Sequence, residues 1–205
     1  MRPRRSVLRS IGKWAAELLL VFLGAYAAFW LANHQEHLQE ARRRQLILAA
    51  LEEQFANDID NVKAQRDRTA KGLAAFQKKL EAGEMPPLNS FSFTTDYNAT
   101  DIAALLQSGG YQLLDVKTLF ALRQLESVLR RGVSTMQRAQ QLSDSLIVPN
   151  LDQDNTFFYD PATKQLRKRF TRYVETLQAF PPFYDDYIKA LTDLLTQIRA
   201  ERAKQ

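Results

Sequence analysis

The sequence predicts an all-α protein: a single N-terminal transmembrane helix continuing into a stalk and an antiparallel helical bundle. Three observations carry this. Residues 14–32, WAAELLLVFLGAYAAFWLA, form an apolar run with one ionisable residue, Glu17. At about 1.5 Å per residue, the run matches the hydrocarbon thickness of a bilayer. Beyond it, apolar residues recur at steps of three and four, the period of an amphipathic helix. Seven glycines and seven prolines among 205 residues leave room for long helices.

Residues 1–13 form a basic tail with Arg2, Arg4, Arg5, Arg9 and Lys13 and no acid. The tail accounts for the whole formal net charge of +5, so the remainder is balanced. A nucleic-acid binder is expected to carry its basic excess on the folded domain, so no nucleic acid is implied as a partner. The positive-inside rule instead places the N-terminus in the cytoplasm and the C-terminal domain across a bacterial inner membrane, in the periplasm. Arg42, Arg43 and Arg44 on the far side oppose this orientation without reversing it.

A cleaved signal peptide is the competing reading, because Ala25-Tyr26-Ala27 resembles an A-x-A cleavage site. The apolar run continues past it through Phe29, Trp30 and Leu31. Trp14 and Trp30 also stand near its two ends, where interfacial aromatics belong. An uncleaved anchor is therefore favoured. The chain has no cysteine, which excludes disulfides, Cys-based zinc sites and thiol catalysis.

Within residues 14–32, Glu17, Val21, Gly24 and Ala28 share one helical face. Gly24, Ala28 and Ala32 form a small-xxx-small series that lets two helices approach closely. One reading makes this a pairing face with Glu17 at a helix–helix contact. The other lets Glu17 snorkel to the cytoplasmic surface and pair with Lys13.

Residues 33–47 are almost wholly polar and read as a helical stalk. Residues 48–205 read as the bundle. Its first helix carries apolar residues at Leu48, Leu51, Phe55, Ile59, Val62, Leu73, Phe76 and Leu80, a pattern that also fits a short coiled coil. The series is interrupted near Arg66 and Thr69.

Gly83 and Pro86-Pro87 break that helix. Thr100 is placed to cap a short helix over residues 101–107, which Gly109 and Gly110 end. Asp115 is then expected to cap a long helix reaching about residue 146, before Pro149. Its stripe is Leu119, Leu122, Leu125, Leu129, Val133 and Met136. A further helix is expected over residues 162–179, ended by Pro181-Pro182. The last one starts near Phe183 and buries Tyr187, Ile188, Leu191, Leu194, Leu195 and Ile198.

Residues 12–60 resemble an uncharacterised bacterial domain-of-unknown-function family of small single-span membrane proteins. The resemblance lies in Gly12, Glu17-Leu18-Leu19-Leu20-Val21, Gly24 and Ala27/Ala28. It continues in Trp30 and Asn33 at the membrane exit, then Leu48, Leu51, Glu53 and Asp58-Ile59. Ser108-Gly109 between Leu105 and Leu114 is similar to the family's serine–glycine turn. The resemblance implies an anchored, exported helical domain and brings no activity with it.

Candidate chemistry is sparse. His34, His37 and Glu40 follow one another on a helical face and offer three metal-ligand types, against the simpler reading of a solvated polar face. Asn150, Asp152 and Asp154 alternate as calcium-loop ligands do. However, Asn155 stands where such a loop needs glycine, and Pro161 where it needs glutamate. Phe157, Phe158 and Tyr159, with Phe183, Tyr184 and Tyr187, fall at loops and helix corners. They suit a ligand or partner surface, or a plug for the end of the bundle, which is favoured. No catalytic constellation and no cofactor is implied.

The expected function is a membrane-anchored interaction or scaffold protein, either an accessory subunit of another membrane protein or a homo-oligomer. The alternative is an extracytoplasmic ligand-sensing bundle that signals through a membrane partner.

Overall fold

A computed structural model describes residues 4–93 and 110–204 of the chain, with side chains from residue 18 onward. The protein is all-α. Among the described residues four α-helices exceed ten residues, which we label α1 (Arg4–Glu81), α2 (Val116–Leu142), α3 (Lys168–Gln178) and α4 (Phe180–Arg202). Among the described residues there is no strand, only an isolated antiparallel bridge between Tyr159 and Leu166. The short helix expected over residues 101–107, with its cap at Thr100, lies outside the described residues.

Contacts divide the chain into two units, Met1–Leu46 and Ile47–Gln205. In the first, every side chain from Leu18 to Arg43 is exposed. Among the described residues one helix is long and apolar enough to cross a membrane, and it is this N-terminal one.

The second unit is built on the 3–4 repeat of α1. Leu48, Leu51, Phe55 and Ile59 are buried against Leu125 and Val128 of α2 and Leu191, Leu194 and Ile198 of α4. Each such side chain contributes roughly 1.5–3 kcal/mol on leaving water. Helix α4 runs antiparallel to both α1 and α2. Glu52 and Arg66 of α1 meet Arg199 and Asp185 of α4 respectively. Likewise Thr118 of α2 meets Glu201, and Gly132 lies against Phe183.

Helix α1 ends with Lys78 and Lys79 in its last turn, where cations suit the helix dipole. Gly83, at φ 73°, takes the left-handed position that closes the helix. Its N–H donates to Leu80 O at 3.0 Å and that of Glu84 to Lys79 O at 2.9 Å. The following non-helical segment, residues 84–93, is pinned by three hydrogen bonds. Tyr159 donates its hydroxyl to Pro86 O at 2.5 Å, Tyr173 to Asn89 O at 2.7 Å, and Phe91 N–H donates to Ser143 Oγ at 2.8 Å.

Four expectations about helix ends need correction. Asp115 occupies the N-cap position of α2, but its side chain makes no capping bond. Its Oδ2 instead accepts from Lys204 Nζ at 3.0 Å. The α-helix ends at Leu142 and continues as a π turn, Ser143–Ile147, and a 3-10 turn, Val148–Asn150, so Pro149 lies inside a helical turn.

Residues 162–167 are not helical. The Asp160 carboxylate accepts from Ala162 and Thr163 N–H at 2.9 and 3.0 Å, and this local turn competes successfully with helix. Finally, Pro181-Pro182 belong to the first turn of α4, which begins at Phe180. Proline lacks only an N–H that the first turn leaves without an intrahelical partner, so the pair starts the new helix.

Candidate functional site

The membrane-helix face is open along its described length. Val21, Gly24 and Ala28 are exposed, and a Cβ placed on Gly24 would meet nothing within 4 Å. The side chain of Glu17 lies outside the described residues. An exposed apolar helix of this kind presents its surface to lipid or to another helix.

Farther along α1, the His34 ring stacks on Trp30 with centroids 5.6 Å apart and planes 2° from parallel. His37 Nδ1 lies 3.8 Å from Glu40 Oε2, both groups exposed. Among the described residues, no group of three or more His, Cys, Asp or Glu is arranged to hold a metal ion. The structure therefore does not gather His34, His37 and Glu40 into a ligand set.

The loop acids also have local employment. Asn150 donates its amide to Leu146 O at 3.0 Å. Asp154 caps the 3-10 turn Asn155–Phe158 by accepting from Thr156 N–H at 2.8 Å, which holds its carboxyl below the usual range. Asp152 is exposed.

The aromatic residues fall into separate parts of the core rather than around one cavity. Phe158 and Tyr159 are buried with Phe170 and Tyr173, and Phe157 packs on them. Phe158 meets Phe170 edge-on at 5.0 Å. Burial pushes the Tyr159 hydroxyl up to about 12. Tyr184 is buried with Phe180 and Ala139, whereas Tyr187 belongs to the α1–α2–α4 core, with Phe183 stacked on it at 6.0 Å. Phe158, Tyr159, Tyr184 and Tyr187 are core, and Phe157 and Phe183 are half-buried against it.

Polar contacts that the pattern did not anticipate tie the helices together. Glu201 is 1% exposed. Its carboxylate accepts from Asp115 N–H at 3.0 Å and from the Thr118 hydroxyl at 2.5 Å, serving the first turn of α2 from across the bundle. Glu52 binds both Arg199 and Arg202, whose donated hydrogen bonds hold its carboxyl below the usual range. Arg66 bonds Asp185 at 3.0 Å, so the interruption seen in the α1 stripe is a polar contact to α4.

A second feature is electrostatic. Helix α2 carries Lys117, Arg123, Arg130, Arg131 and Arg138 against a single acid, Glu126. At 100° per residue the five cations fall within an arc of about 140°. All are exposed, and so are Val116 (76%) and Phe120 (75%) within the same arc. Glu126 pairs with Arg130 at 2.7 Å. Among the described residues, Lys117, Arg123 and Arg138 form no ion pair. The balanced charge of the chain beyond its tail therefore conceals a segregated one. On α3, Arg169 lies 4.7 Å over the Phe157 ring and 4.5 Å over that of Phe170, a cation–π brace on the same sign of charge.

The chain matches no protein-family model, and neither the curated proteins nor the solved structures contain a match to it.

Proposed function

We propose that this chain is a membrane-anchored helical interaction protein. Residues 14–32 cross a bacterial inner membrane with the basic tail in the cytoplasm, and the bundle stands in the periplasm. It acts as a homo-oligomer or as an accessory subunit of another membrane protein, with no catalytic activity of its own. One observation carries this reading: every side chain from Leu18 to Arg43 is exposed, including those of the apolar part of that helix. In water such a surface is costly, and in a bilayer it is solvated. Four of the six aromatic residues that motivate a sensing bundle, Phe158, Tyr159, Tyr184 and Tyr187, are buried in core packing, which favours the interaction reading over that alternative.

Two experiments test it. Gly24→Ile with Ala28→Ile should abolish association in the membrane, read by crosslinking from the span, and unchanged association would sink the pairing face. Single cysteines at Ser6 or Lys204 report orientation, because the chain has no thiol of its own. An impermeant maleimide should label residue 204 and not residue 6 in spheroplasts. The reverse pattern would overturn the proposed topology.

A further inference from the structure

The basic arc of α2 has a counterpart on the same chain. Glu53, Asp60 and Asp67 of α1 recur every seven residues and are all exposed. Such a series forms a nearly straight stripe with about 10.5 Å between acids. On α2, Arg123 and Arg130 repeat at the same interval, as do Arg131 and Arg138. The two patterns therefore share a spacing.

They also share a height in the bundle. Glu52 of α1 and Thr118 of α2 both meet the 199–202 turn of α4. Arg66 of α1 meets Asp185, and Gly132 of α2 lies against Phe183. Residue 52 thus stands level with about residue 118, and residue 66 with about residue 131, counting along α4 at ~1.5 Å per residue. By this alignment Glu53 is level with Lys117, Asp60 with Arg123, and Asp67 with Arg130 and Arg131, each within about one helical turn. Helices α1 and α2 also run in the same direction, since both are antiparallel to α4.

We infer that the basic face of α2 docks on the acidic stripe of α1 in a second copy of this chain. The inference rests on the membrane-anchored reading above. Copies inserted the same way present their bundles in the same sense, so α1 of one copy and α2 of the next run in the same direction and these faces can meet in register. The occupant is chosen by charge complementarity that the chain itself supplies, with seven-residue pairing of the kind that sets partner choice in coiled coils. The contact is heterologous, because one face of each copy meets a different face of the next. Repetition builds a ring or a row of copies instead of a closed two-fold pair.

The test uses the full chain reconstituted in neutral-lipid vesicles, in two differently tagged forms. One carries Asn57→Cys, on the acidic stripe, and the other Gln124→Cys, within the basic arc. Oxidation should give the 57–124 disulfide in preference to 57–57 and 124–124, and added salt should suppress it. Lys117→Glu with Arg123→Glu should reduce the product about tenfold, as should Glu53→Arg with Asp60→Arg. Mixing the two reversed chains, with the thiols on their reversed faces, should restore it, which a merely misfolded variant cannot do.

Failure to form the 57–124 product, while crosslinks from positions 21 and 28 persist, would overturn this surface and leave the membrane-face reading standing. Loss of crosslinks at both places would overturn both. Binding to anionic vesicles that requires Lys117 and Arg123, without the 57–124 product, would assign the basic face to lipid and overturn the second copy as its occupant.

Discussion

The ring of Phe183 occupies the space in which residue 132 would carry a side chain. A Cβ built on Gly132 would stand 2.0 Å from its Cε2. Glycine is required here for close approach of α2 and α4, not for backbone freedom. Gly132→Ala should therefore force the ring aside and cost about 1–3 kcal/mol, as overpacking does. Chemical denaturation of the detergent-solubilised chain should show the loss. Adding Phe183→Leu should recover part of it, and an unchanged midpoint for Gly132→Ala would mean the helices pack differently.

Glu201 provides the second prediction. Its removal leaves the Asp115 N–H and the Thr118 hydroxyl without the acceptor they share, and each buried orphan costs about 1–3 kcal/mol. Glu201→Ala should destabilise by roughly 2 kcal/mol or more. Glu201→Gln keeps an acceptor oxygen and should cost less. Equal losses for the two variants would assign the effect to packing alone.

Stability should fall in acid partly through Glu52. Hydrogen bonds from Arg199 and Arg202 lower its pKa from an ordinary 4.5. Its contribution is present above 4.5 and is lost as pH falls through the depressed folded value. Glu52→Gln should cost about 1 kcal/mol at pH 7 and flatten the acid limb of the stability curve. A parallel curve, shifted without flattening, would contradict the assignment.

Asp58 should behave oppositely. Burial raises its carboxyl, with the Gln54 hydrogen bond opposing. The charged form is thus a liability above the raised folded value, and that liability disappears below the unfolded value of 3.8. Asp58→Asn should stabilise the protein at pH 7 and make no difference at pH 3. Thermal melts at the two pH values decide it.

The non-helical segment after α1 gives a local readout. Tyr159→Phe and Tyr173→Phe each remove one hydroxyl that holds its carbonyls, at a cost of about 1 kcal/mol. Limited proteolysis within residues 84–93 should accelerate in both variants. Cleavage at an unchanged rate would show that the aromatic rings alone hold the segment.

Much of the fold was legible because period and burial coincide. Leu48, Leu51, Phe55 and Ile59 were marked by spacing and are buried. Glycine and proline were harder, since the same residue starts one helix and stops another. Pro181-Pro182 looked like a terminator because proline forbids helix interiors, yet it is at home in a first turn. Asp160 ended the expectation of helix over residues 162–167 through bonds to its own backbone, a choice that composition does not encode.

The Glu201 contact had a signal that polarity masked. The residue continues the series Tyr187, Leu191, Leu194 and Ile198 at steps of three and four, so its position is inward even though its type is charged. The basic arc was hidden by summation: a net charge sums over all faces, whereas a docking surface is one face. Of the proposed site residues, His34, His37 and Glu40 are not gathered into a ligand set, because ligands must converge in space and adjacency along one helix does not bring that about.

The start of α2 is completed by a residue 86 positions downstream. On a ribosome adding about 5–20 residues per second, Glu201 arrives roughly 4–17 s after Asp115. During that interval the first turn of α2 must find water or a temporary partner for its donors. The first turn of α2 is therefore completed only after α4 is supplied, and the parts of the α1 and α2 stripes that α4 covers stay exposed until then. For a chain of this design, timing sets the exposure to aggregation and to chaperones as much as final stability does.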